Sequence, residues 1–156
     1  MGQVTHEQVD LMLKLYEMRR EPRLRQARAW FLEKFNPTSA EEMMKLYPFG
    51  SEENANVRMV TSYWEMVASI VNRNLIDEDL FFESSGEQWV VWERLKVVNP
   101  AMRALFKNPH ANAQLEEHVK RLEAWREKRA PGSNAAMRQL FAQMAQAKQQ
   151  AKVAGD

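Results

Sequence analysis

Apolar side chains recur at steps of three and four along most of this chain, and that spacing restricts it to helix. The clearest run is Val57, Val60, Trp64, Val67, Val71 and Leu75, widened by Met59, Tyr63, Met66 and Ile70. Residues so spaced share one face of a helix with 3.6 residues per turn. The run predicts a long helix over about 52–74, buried on more than one side at the centre of the fold.

Cap and breaker signals divide the remainder. Thr5 with Gln8 and Ser39 with Glu42 have capping-box spacing: a hydroxyl accepts from one orphan N–H, and the side chain three residues on reaches back to another. Val9, Met12, Leu13 and Tyr16 form the apolar face of a first helix, about 6–20. Pro22 opens a second, about 22–35, carrying Leu24, Ala27, Phe31 and Phe35. A short helix ends before Pro48, and Ser51 caps the central one. Asp77 caps a short turn with Leu80, Phe81 and Phe82, which Ser84-Ser85-Gly86 ends. A helix of about 87–98 holds Trp89, Val91, Trp92, Leu95 and Val98. Asn99-Pro100 and Asn108-Pro109 repeat one signal, an Asn cap with proline at the first helical position. They predict helices over about 100–107 and 109–129, the latter with Leu115, Val119, Leu122 and Trp125 on its seam. Pro131-Gly132-Ser133 ends that helix and caps a last one, about 134–152.

Trp89-Val90-Val91-Trp92 has strand propensity, but Glu93, Arg94, Leu95 and Lys96 favour helix and no partner strand is visible. Helix should take about four-fifths of the chain, against roughly one-third in ordinary globular proteins. The fold class expected is all-α, an irregular multi-helix bundle with a C-terminal amphipathic helical appendage. At 156 residues one domain is expected, here residues 1–131. Residues 132–156 form the appendage, whose end beyond Gln146 has little to bury and is expected to fray.

The residue inventory excludes many chemistries. Cysteine is absent, which removes disulfide scaffolds, zinc fingers, iron–sulfur clusters and thiol nucleophiles. Five glycines form no phosphate-cradling loop or dinucleotide fingerprint. His6, His110 and His118 belong to no His-Glu-x-x-His or Glu-x-x-His pair, so no metal and no cofactor is expected. The balance weighs against an enzyme. His118 lies at the edge of an apolar stripe and is read as a packed histidine rather than a general base partnered by Glu116 or Glu117. Asp77, Glu78 and Asp79 are read as complementing a helix dipole rather than binding a cation. Trp64, Trp89, Trp92, Phe81 and Phe82 can line an apolar cavity, although such spacing more often fills a core.

Net charge is +1, yet residues 41–93 hold eleven acidic and three basic side chains between basic flanks. That pattern points to pairing between surfaces. The cluster Arg19, Arg20, Arg23, Arg25 and Arg28, with Trp30 and Phe31 beside it, is the nucleic-acid candidate. Glu17 and Glu21 among these arginines favour pairing along the helix instead. Arg121, Trp125 and Arg129 have the composition of an interface rim. Met137, Leu140, Phe141 and Met144 give the last helix an apolar face for a partner. The expected function is a non-enzymatic protein–protein interaction or scaffolding module, a homodimer or bound to a protein partner. The alternatives are nucleic-acid binding through the Arg19–Arg28 cluster, and a small-ligand protein or enzyme with an aromatic pocket. The first residues lack a basic n-region and an apolar h-region, and no stretch suits a membrane span, so a cytoplasmic protein is expected.

Tyr63 to Leu80, ending Asn72-Arg73-Asn74-Leu75-Ile76-Asp77-Glu78-Asp79-Leu80, and Trp89 to Lys96 resemble a family of bacterial helical proteins known only as a domain of unknown function. That family has a Gly-Leu-Ile-Asp-Glu-Asp connector followed by a Tyr-Trp-Glu helix. Here Asn74 stands at the glycine, and Val91-Trp92-Glu93 at Tyr-Trp-Glu. The resemblance covers residues 55–125 and implies a helical fold, with no catalytic residues to carry over.

Overall fold

The computed structural model describes residues 2–155. Among the described residues there are nine helices and no strand: α1 His6–Arg19, α2 Pro22–Lys34, α3 Ala40–Leu46, α4 Glu52–Asn72, α5 Glu78–Ser84, α6 Glu87–Leu95, α7 Asn99–Leu105, α8 Ala113–Arg129 and α9 Ser133–Ala154. Helix takes up 76% of the described residues, so the all-α class holds. Two compact units divide after Val119, and α8 runs from the first into the second.

In the first unit α4 is the centre, as its stripe requires. Val60, Trp64, Val67, Ala68 and Val71 are buried, and α2 is its most extensive partner through Ala27, Phe31 and the α2 end at Phe35. Phe31 and Phe35 stack at 4.5 Å. Arg94 of α6 donates to the carbonyls of Phe31 (2.7 Å) and Phe35 (3.3 Å), satisfying acceptors left over at the end of α2. Burial lowers the Arg94 pKa from its ordinary value. The buried face is narrower and shorter than expected: Met66 of the widening is exposed, and Leu75, the last residue of the stripe, lies beyond the end of α4 and is exposed too.

The caps show how the helices start. Thr5, Ser39, Ser51 and Asp77 each accept from the N–H three residues on. The reciprocal arms differ from a simple box. Gln8 accepts from the Asp77 N–H instead of returning to Thr5, and Glu42 accepts from the N–H and hydroxyl of Thr38. These bonds hold the Glu42 carboxyl below its usual range.

The two Asn-Pro signals act differently from the expectation. Asn99 lies inside α7, where its amide donates to Ala111 O and accepts from Asn112. Asn108 accepts from His110 N–H in a turn, and α8 begins later, at Ala113, after Asn112 at φ +57°. The α8 start is capped from α4: Glu65 oxygens accept from Gln114 N (3.1 Å) and Leu115 N (2.7 Å). A carboxylate from a distant element supplies the acceptor that the local asparagine was expected to provide, and adds a negative charge that an asparagine lacks.

The second unit is a helical hairpin of the end of α8 and α9. The turn between them places Gly132 at φ +85°, and Gly132 N–H donates to Glu127. Gly132 occupies the N-cap, so Ser133 begins α9 without capping it. Asn134 donates to Glu123 O, and Arg138 pairs with Glu123. Helix α9 continues to Ala154.

Candidate functional site

The first unit contains an open pocket of about 250 Å³ between α1, α4 and α5. Met12, Leu13, Leu15 and Tyr16 come from α1, Tyr63 and Trp64 from α4, and Phe81 from α5. Ser84, Ser85 and Arg19 add polar atoms, and Arg19 is the one charged side chain of the lining.

The pocket corrects the reading of α1. Its stripe of Val9, Met12, Leu13 and Tyr16 was expected to face the core, but Leu15 is the α1 residue that is buried. Leu13 and Tyr16 remain 53% and 47% exposed. A tether accompanies this orientation: the Tyr63 hydroxyl donates to Leu15 O at 2.6 Å, on the side of α1 that is buried. Burial pushes the Tyr63 phenol up to about 12 against the pull of Arg19 and Arg28.

Glu87 braces the walls. It takes a two-pronged pair from Arg28, at 2.7 and 2.5 Å, and a bond from Trp64 Nε1 at 3.2 Å. Arg28 also donates to Arg19 O at 3.0 Å, so one guanidinium joins α2, α6 and the end of α1. The Glu87 hydrogen bond raises the Arg28 pKa.

Behind Phe81 lies a buried polar chain. His118 is fully buried, with its ring edge-on to Phe81 (5.6 Å) and Phe82 (5.2 Å). Its Nε2 lies 3.3 Å from Nε2 of buried Gln88, which in turn donates to Ser85 O and accepts from the Ser85 hydroxyl. A neutral imidazole accepting from the Gln88 amide satisfies this geometry. His118 therefore sits in the core as a packed, hydrogen-bonded ring.

Of the aromatics considered for a cavity, Trp64 and Phe81 line this one, whereas Trp89, Phe82 and Trp92 are not in its lining. Leu13, Tyr16 and Arg19 repeat at three-residue steps on α1, a signal of an apolar column ending in a cation that the sequence reading took for core and basic patch separately. The basic cluster is divided by the fold. Arg19 and Arg20 lie 5.1 and 5.6 Å from the Tyr16 ring, Arg23 donates to Asn56, Arg28 is held by Glu87, and Arg25 points to solvent. Phe31, considered for base stacking, is fully buried.

In the second unit Arg129 covers the Trp125 ring at 4.5 Å, with Arg121 half-buried on the same helix. Met137 is half-buried, and Leu140, Phe141 and Met144 are exposed. Asp77 is a cap for α5, and no group of three or more His, Asp or Glu among the described residues is placed to hold a metal ion. No helix among them is long and apolar enough to cross a membrane. The arrangement can bind an apolar molecule and neutralise one negative charge.

No curated protein and no solved structure matches this chain. The expected kinship with an uncharacterised helical domain holds over a wider span than its motifs suggested: the chain belongs to the family described as a domain of unknown function, DUF4760, which it matches over residues 4–122.

Proposed function

We propose that this protein is a non-enzymatic helical interaction module that pairs with a second copy of itself through α9. The observation that carries the reading is the exposed seam of that helix. Leu140 and Met144 are 55% and 49% exposed in a 22-residue element. Met137, Leu140, Met144, Ala147, Ala151 and Ala154 recur at alternating steps of three and four. That is the spacing of a two-helix seam, in which alanines at the narrow end let backbones approach closely. Arg138 and Lys152 fall outside the seam, and Lys148 flanks it, so two copies meet without opposed charges at their centre. The helix also needs a partner on energetic grounds. Beyond Met137 the helix is exposed along its length and buries too little within its own hairpin to offset its ordering.

Sedimentation velocity on the full chain tests this against the double variant Leu140→Glu/Met144→Glu. The wild type should sediment as a dimer and the variant as a monomer of unchanged helicity. A wild type that stays monomeric across the concentration range, or a variant that still dimerises, overturns the reading.

A further inference from the structure

We propose that the pocket between α1, α4 and α5 binds a small monocarboxylate with an unbranched apolar chain, its head group held by Arg19. This site is independent of pairing through α9.

The charge pattern selects the ligand. Arg28 is neutralised by Glu87 and Arg23 is spent on Asn56, but the Arg19 guanidinium makes only a stacking contact with Tyr16. Its Nε is buried and has no hydrogen-bond partner. Arg19 lines the pocket with no acid beside it in the lining, and its other guanidinium N–H groups can donate to a carboxylate, which offers two oxygens for the fork. Glu87, the acid that touches the Trp64 wall, is already neutralised by Arg28, so it opposes an incoming anion weakly. The lining itself holds no acid.

The walls select the body. Trp64, Phe81, Met12 and Leu15 offer aromatic and aliphatic surface, while Leu13 and Tyr16 leave apolar area facing water at the mouth. Covering that area favours a hydrocarbon chain over a more polar ligand. The volume of about 250 Å³ holds a chain of about eight carbons, at roughly 30 Å³ each, with the head group at the open mouth. An eight-carbon fatty acid has that size.

Octanoate, below its micelle-forming concentration, is titrated into the full-length protein and followed by calorimetry and tryptophan fluorescence. Octanol and octylamine are titrated in parallel. Octanoate should bind the wild type more tightly than octanol, and octylamine more weakly than either. Arg19→Gln should weaken octanoate roughly ten- to a hundredfold, as loss of a charged hydrogen-bond partner does, and leave octanol unchanged. Leu13→Glu, at the exposed mouth, should weaken octanoate through like-charge repulsion and thereby mark this pocket as the site. Octanoate that fails to bind, or that binds Arg19→Gln or Leu13→Glu as it binds wild type, overturns the proposal. Dimerisation that Leu13→Glu abolishes, without octanoate binding, assigns the mouth to a second copy and overturns it too.

Discussion

At the scale of single residues, Asn74 explains a preference that the sequence only hinted at. It sits at φ +60°, just after α4, with its N–H on Val71 O and the Leu75 N–H on Ile70 O. Those two bonds close a helix end that needs a left-handed residue, which glycine adopts without strain and asparagine tolerates. Asn74→Gly should therefore hold or raise stability by a few tenths of a kcal/mol, and Asn74→Val should lower it by about 1–2 kcal/mol. Urea midpoints at constant slope measure both. Tyr63 gives a pH dependence. Its phenol titrates near 12 in the folded chain and 10 as a free side chain. The folded value is the raised one, so the stability it contributes is fully present below pH 10 and is lost as pH rises toward 12. The loss should approach about 2–3 kcal/mol. A Tyr63→Phe variant should lack this slope, lose the latest-titrating tyrosinate absorbance, and cost about 1 kcal/mol at neutral pH for the bond to Leu15.

At the scale of elements, what could be read locally was read well. The α4 stripe as far as Val71, the Ser51 and Asp77 caps and the Pro22 start depend on neighbours within four residues, and the structure has them in place. Asp77→Ala should cost about 1 kcal/mol by thermal unfolding, because it removes the Leu80 N–H acceptor and a negative charge at the start of α5. The misread elements are those whose ends are completed from far away. Glu65, forty-nine residues from Gln114, caps α8, which is why Asn108-Pro109 could stay in a turn. The α1 stripe had the right period but the wrong destination, since the side of α1 tied to Tyr63 through Leu15 is the one buried. Periodicity shows that a face exists and is silent on what covers it. The pocket was half legible for the same reason. Trp64 and Phe81 were named as possible cavity walls, while Leu13, Tyr16 and Arg19 became part of it through that orientation of α1.

At the scale of the whole molecule, the family match ends at residue 122, so the pocket lies inside the matched span and α9 beyond it. If α9 pairs with a copy of itself, its amides from Leu140 onward should exchange with solvent slowly at high protein concentration and rapidly on dilution, with the amides of α4 protected throughout. Exchange in α9 that ignores concentration would mean that its seam has no second copy to cover it. The amino-acid sequence by itself determined the helical class, the central place of α4, the four side-chain caps and the absence of thiol chemistry, because each follows from residue type and spacing within a few turns. Only the tertiary structure decided that His118 is walled in beside Gln88, that Arg28 is consumed by Glu87 while Arg19 is not, and that α1 leaves apolar surface open. Those outcomes depend on which charge reaches which partner across gaps of thirty to sixty residues, and chain spacing carries no information about such distances.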